Sequence, residues 1–320
     1  MSKDIGYRFV MNNSLDCIPC FIRQALEACR FVTDDPAVHE QVVREVLLLA
    51  AEMDHAQCPP VIGQKIHRRL RQITGIEDPY RAVKDRSNKM ILDMTNNLKK
   101  RVESSPNRFA MAVRLAIAGN VIDYAVNGCP DEMELRRAVE QSIGAPLRGD
   151  INIFRQAVAE ADSILYLADN AGEIVFDRLL IEQLPMERVT LAVRGAPVIN
   201  DATRIDAQTA DLNELVKVID NGSDAPGTIV PDCSPAFQKR FDQADLVIAK
   251  GQGNFETLCN IPKNIFFLFK VKCPFIGQRI GENVGGLMLY RNKISSPTGC
   301  HRKIKRIRYI RRTTTKSTVG

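Results

Sequence analysis

The 320-residue chain has no tryptophan, 6% aromatic residues and four histidines, His39, His55, His67 and His301, with no HxxxH pair among them. That scarcity argues against an imidazole-based hydrolase and against a His-rich zinc site. No stretch approaches the roughly 18 consecutive apolar residues a membrane span needs, and residues 1–7 are polar where a secretory signal turns hydrophobic. The cytoplasm is therefore the expected compartment. Of nine cysteines, only Cys17 and Cys20 form a CxxC, and no second CxxC follows to complete a zinc site. Without an export signal the thiols are expected to be reduced. A structural or incidental role is the first expectation for this pair, with redox chemistry and a metal half-site as the alternatives.

What is present is the composition of a globular chain with room for two domains: 45% hydrophobic and 26% charged residues. Ten of the 44 Lys and Arg, and none of the 38 acids, fall in residues 291–320, so the formal charge of +6 becomes −4 for residues 1–290. The positive excess belongs to a basic, Thr-rich tail without periodicity. Such a tail reads either as a disordered nucleic-acid-binding arm or as sequence without a selected role.

Apolar residues at three- and four-residue intervals predict helices over 21–32, 38–53, 61–73, 80–99, 109–124 and 132–143. Near residue 150 the pattern changes to short β-branched runs at 163–168, 189–193, 215–219, 246–249 and 265–268, with helices predicted at 173–183, 200–206, 234–243 and 255–259. Alternating strand and helix predicts an α/β protein: a helical N-terminal domain, 1–147, packed on a doubly wound, mostly parallel sheet domain, 148–290, followed by the tail, 291–320. In such sheets ligands bind beyond the carboxyl ends of the strands.

Those ends carry Asp169-Asn170-Ala171-Gly172-Glu173, then Arg194-Gly195-Ala196-Pro197-Val198-Ile199-Asn200-Asp201, Asp220-Asn221-Gly222, Lys250-Gly251-Gln252-Gly253-Asn254-Phe255-Glu256 and Lys270-Val271-Lys272-Cys273. Taken singly, Asp169, Asn170 and Asn200 read as helix caps and Asn221-Gly222 as a turn. Five such segments at successive strand ends read as a site. Hard oxygen donors suit Mg²⁺ or Mn²⁺, and neighbouring cations such as Arg194 and Lys250 suit a phosphate, although for Lys250 pairing with an acid is the alternative. The Lys250 segment lacks the ending of a Walker A loop, and Asp-Asn-Ala-Gly-Glu is no GxGxxG. Metal-assisted phosphoryl chemistry is favoured over acyl transfer.

Together these motifs resemble the damage-control phosphatase family, long described as a domain of unknown function. Cys17 and Cys20, with Asp78-Pro79-Tyr80, Lys84 and the segment from Ala118 to Asp123, are similar to its CxxC-bearing prokaryotic subfamily. The resemblance runs from about residue 17 to residue 289. It implies a helical domain on an α/β domain, a divalent metal (Mn²⁺, Mg²⁺, Co²⁺ or Ni²⁺) and hydrolysis of phosphate esters of small metabolites such as sugar phosphates, nucleotides or cofactor-related phosphates. It places the metal on Asp169, Asn170 and Asp201, and substrate or phosphate on Asn254 and Lys272, with weaker support for Asn120, Asp123 and Lys84. Glu173 matches an acidic residue of the motif and is the first candidate to orient or deprotonate the attacking water; Asp169 as a covalent nucleophile is the other route. Two further functions are carried as alternatives: an S-adenosylmethionine-dependent methyltransferase, disfavoured by the lack of a Gly-rich first loop, and a nucleic-acid-associated protein acting through the tail. Nucleic acid is otherwise not an expected partner.

Overall fold

The computed structural model describes residues 11–121 and 132–292. Among the described residues six helices come first: α1 (Cys17–Val32), α2 (Pro36–Ala51), α3 (Pro59–Thr74), α4 (Arg81–Ser104), α5 (Arg108–Ala118) and α6 (Glu132–Gly144). Local chemistry sets their starts. Asp35 caps α2 by accepting from Ala37 N with Pro36 in the first turn, and Asn107 caps α5 by accepting from Ala110 N. The helix predicted over 109–124 ends earlier, at Ala118, and passes into a 3-10 turn over Gly119–Val121. No helix of the described residues is long and apolar enough to cross a membrane.

The second half alternates β1 (Leu147–Arg148), α7 (Ile151–Glu160), β2 (Ile164–Leu167), α8 (Glu173–Ile181), β3 (Val189–Val193), α9 (Arg204–Thr209), β4 (Lys217–Asp220), α10 (Pro235–Gln243), β5 (Leu246–Lys250), α11 (Gly251–Leu258), β6 (Ile265–Lys270), α12 (Pro274–Ile280) and β7 (Leu287–Arg291). These strands form one sheet in the order β1-β7-β6-β5-β2-β3-β4, parallel except where β7 runs against β6. β2, β3 and β5 are buried along their whole length, which is why each reads as a mostly apolar run, broken only by Thr190 in β3 and closed by Lys250 in β5.

Period-two alternation divides the sheet between two cores. Ile164, Tyr166, Leu191, Ile248 and Phe266 face α4, α5, α7 and α8, whereas Leu165, Leu167, Val247, Ala249 and Phe267 face α10 and α11. The helical first half is itself divided. α4, α5 and α6 share the first of these cores, while α1, α2 and α3 build a third cluster around Ala25, Val46, Ile66 and Leu70 that also takes in Val198 and Ile199 of the loop after β3. The N-terminal bundle is thereby seated on the edge where the strands end. Beyond Asn292 the basic tail lies outside the described residues.

Candidate active site

From β2 the chain crosses first to β3 and β4 and then returns to lay β5 on the other side of β2. The crevice between the carboxyl ends of β2 and β5 is thus the topological switch point of the sheet. The loops leaving β2 and β3 are zipped together by their backbones. Ala171 N–H donates to Asn200 O and Ala202 N–H to Asp169 O, both at 2.8 Å, and Asn170 and Asp201 form an isolated antiparallel bridge. Asp169, Asn170, Asn200 and Asp201 therefore share one wall. Ile199 has a φ of 44°, a strained value for a β-branched side chain, held in place by its burial in the N-terminal cluster.

Gly251 opens α11 with a φ of 78°, and a Cβ built there would lie 1.8 Å from Asp169 Oδ2. Only glycine lets the turn after β5 approach the carboxylate this closely. Helix α4 braces the same loops from outside. Asn88 Oδ1 accepts from Gly172 N (2.7 Å) while its Nδ2 donates to Asp206 Oδ1 (2.9 Å), and the fully buried Lys84 ammonium pairs with Asp78 (2.8 Å) and lies 3.4 Å from Asp201 O.

The wall opens into a pocket of about 330 Å³. Asp169, Asn170, Asp201 and Lys272 line it, as do Gln252 and Glu256 of α11 and both thiols of the CxxC. Lys272 borders both acidic groups: its charge acts on Asp169 and Asp201 and also on Glu256. Burial raises the Asp169 carboxyl to about 8, with Glu173 and Asp201 adding to the shift and Lys272 and Arg194 opposing it. Burial also raises Asp201, against the neighbouring Arg194 guanidinium.

No three His, Cys, Asp or Glu side chains of the described residues are arranged as a ready metal cage. The donor set at this edge is instead two carboxylates and one carboxamide. Asn170 Nδ2 is turned back, donating to Asp169 Oδ2 (2.9 Å) and Glu173 Oε2 (3.0 Å), so its Oδ1 is the atom able to act as a ligand. Oxygen donors with crowded, buried negative charge fit a hard divalent cation, which would offset their repulsion.

Several candidate residues sit elsewhere than the sequence suggested. Glu173 is fully buried behind the wall: Lys250 Nζ donates to its Oε1 (2.7 Å), and Asn120 (2.8 Å) and Asn170 (3.0 Å) donate to its Oε2. A carboxylate so enclosed cannot orient water in the pocket, and its place is that of an anchor for two carboxamides. Lys250 is equally buried, and its three donors are taken by Glu173, Asp177 (2.6 Å) and Ala116 O (2.7 Å), leaving none for a phosphate. Asn254 ties the ends of β2 and β5, donating to Ala168 O (3.3 Å) and Lys250 O (2.7 Å) while accepting from Thr228 Oγ1 (2.7 Å).

Arg194 clamps the wall rather than lining the pocket. Its Nε donates to Asp201 Oδ2 at 2.6 Å and its guanidinium lies 3.6 Å from Asp169 Oδ1. Asn120 reaches Asp169 Oδ2 (3.1 Å) and Glu173 from the turn after α5. Lys272 does face the pocket, and Asp123 lies outside the described residues. The segment Asp220-Asn221-Gly222 is a brace, with Asn221 Oδ1 accepting from Gly195 N (3.0 Å) and Ser223 N (2.9 Å). Sequence reasoning passed over Asn88 and gave no role to Gln252 and Glu256, although both stand in the segment from Lys250 to Glu256 that it read as part of the site. Gln252 and Glu256 stand four apart on one turn of α11, a spacing that marks a shared face.

Residues 14–288 match the family model of the damage-control phosphatase ARMT1-like domain. The chain belongs to that family. It is 35% identical over 289 residues to a protein of Pyrococcus horikoshii named damage-control phosphatase, covering 88% of this chain and 99% of the relative. A damage-control phosphatase of Archaeoglobus fulgidus is 34% identical over 281 residues, covering 85% of this chain and 96% of the relative. A crystal structure of a DUF89 family protein from Pyrococcus horikoshii superimposes with a TM-score of 0.81 at 34% identity, covering 88% of this chain and all of that one. The family and the mixed α/β fold expected from the motifs are those found.

Proposed function

We propose that this chain is a divalent-metal-dependent phosphatase acting on phosphomonoesters of small metabolites. The observation that carries this reading is one pocket lined by Asp169, Asn170, Asp201 and Lys272 at the switch point of the sheet. Names of relatives covered over nearly their whole length support the activity. A cation held by Asp169, Asn170 and Asp201 (Mn²⁺, Mg²⁺, Co²⁺ or Ni²⁺) would neutralise phosphoryl oxygens. Lys272 binds the ester phosphate from the opposite loop. Arg194, Asn120 and the Glu173–Lys250 pair hold the carboxylates and the carboxamide at fixed angles, so that little reorganisation accompanies reaction.

The test is phosphate release from p-nitrophenyl phosphate. Excess chelator is expected to abolish it and one of the four metals to restore it; full activity in chelator with no metal left on the protein would contradict the reading. In the same assay Lys272→Ala is expected to raise KM about 10-fold or more while metal content stays at the wild-type level, because a charge-assisted contact to phosphate is lost.

A further inference from the structure

The pocket holds a second polar group that neither cation nor phosphate binding uses. Gln252 and Glu256 lie one turn apart on α11, and both line the pocket. The sense of the Gln252 amide is fixed, since its Oε1 accepts the backbone N–H of Lys272 at 2.9 Å. Its Nε2 therefore faces Glu256 Oε1, at 2.8 Å, with Cys273 Sγ at 3.6 Å. The carboxyl is oriented by a partner that is itself oriented. One bond also leaves it most of its capacity, since a carboxyl offers two oxygens and, when protonated, a donor.

Its neighbours are the Lys272 ammonium and the thiols of Cys17, Cys58, Cys259 and Cys273. Lys272 acts on both Asp169 and Glu256, and all three line the pocket, so a phosphate anchored at Lys272 lies between influences of the metal-binding wall and of Glu256. The leaving oxygen of a phosphomonoester departs away from the attacking group. Attack from the side of Asp169 and Asp201 would send it away from that wall, and Glu256 is an acid of the same pocket that stands outside the wall.

We propose that Glu256, set by Gln252, is the general acid that protonates the leaving-group oxygen; this rests on the phosphatase reading above. The P–O bond to the alcohol breaks, its electron pair stays on the leaving oxygen, and that oxygen takes the Glu256 proton. Water oxygen forms the new P–O bond, and a proton released from water through the product phosphate or solvent restores the acid. Burial raises the Glu256 carboxyl to about 7, against the Gln252 bond and the Lys272 charge, which keeps a proton available near neutrality.

The experiment compares two substrates of similar size, p-nitrophenyl phosphate, whose leaving group needs no proton, and benzyl phosphate, whose alkoxide does. In Glu256→Gln, kcat/KM for benzyl phosphate is expected to fall about 10²-fold while that for p-nitrophenyl phosphate changes by no more than about 3-fold and metal content is unchanged. Glu256→Asp, which keeps an acid, is expected to recover part of the benzyl phosphate activity. Equal losses on both substrates, no loss on benzyl phosphate, or a wild-type protein that hydrolyses only the nitrophenyl ester would overturn the role of Glu256 and leave the phosphatase reading standing. A wild-type protein that hydrolyses neither ester with any of the four metals would remove the phosphatase reading and this one with it.

Discussion

Asp169→Ala is expected to lower phosphatase activity by about 10²-fold or more without lowering the melting temperature of the chelated protein. The activity loss follows from the place of Asp169 at the centre of the donor set, where one preorganised charge is worth several kcal/mol in the transition state. The neutral effect on stability follows from what surrounds it. Asp169 is 6% exposed, and burial with Glu173 and Asp201 beside it pushes its carboxyl up to about 8. Without a cation, folding must either protonate this carboxyl or hold a repelled charge, and replacing it by a methyl at the pocket wall removes that cost while water reaches Asn120 and Asn170. Wild-type protein should gain about 2.7 kcal/mol when the metal is at 100 times its dissociation constant, and the variant should gain nothing. Melting curves with and without metal check both halves. A variant that keeps its metal-induced shift would show that the cation is held elsewhere.

Lys250→Met is expected to destabilise the fold by about 3–5 kcal/mol, because a buried ammonium is removed from two buried carboxylates. Glu173, Asp177 and Lys250 have no exposed surface, and Tyr166 Oη donates to Asp177 at 2.8 Å within the same cluster. Burial alone would lower Lys250, but Asp177 and Glu173 outweigh it and hold the ammonium above its ordinary value. Adding Asp177→Asn should return part of the lost stability, so the two substitutions will not be additive. Activity should fall as well, since Glu173 anchors the Asn170 and Asn120 carboxamides. Denaturant unfolding of the single and double variants measures this. A stable Lys250→Met protein with only a raised KM would instead place the lysine on substrate.

The contrast between these two residues shows how far the sequence could be read. Asp169 and Lys250 both stand at strand ends in recognisable motifs, and the alternation of strand and helix brought both to the correct edge. Motif and edge do not decide which way a side chain points. For α8 the signal was available: Glu173 and Asp177 are acids four apart on a helix that is otherwise almost wholly apolar, and such a pair calls for a buried counter-ion. Lys250, closing the apolar run Leu246–Lys250, is its complement. Arg194 and Asn254 are harder, because their partners lie on loops whose paths are set only by the zipping of the β2 and β3 ends.

Elements follow the same division. α1 to α5 and α6 were legible because each pairs apolar residues at helical spacing, and β2, β3, β5 and β6 because burial on both faces makes them mostly apolar runs. α11 starts at Gly251, four residues before the helix predicted at 255–259, since Gly-Gln-Gly reads locally as loop. Its first turn is nonetheless helical because it must fit against Asp169, and that contact is tertiary. α12 and the two-residue β1 were passed over for being short, the ten-residue α7 was passed over where the pattern changes near residue 150, and β7 runs to Arg291, one residue into the segment set apart as tail.

The most direct measurement is an anomalous difference map from crystals of the full chain soaked in MnCl₂ with inorganic phosphate. A single manganese peak within coordination distance of Asp169, Asn170 Oδ1 and Asp201, with phosphate between it and Lys272, is the expected result. A protein whose phosphatase activity depends on manganese, but whose map places the metal away from these three residues, would contradict the site.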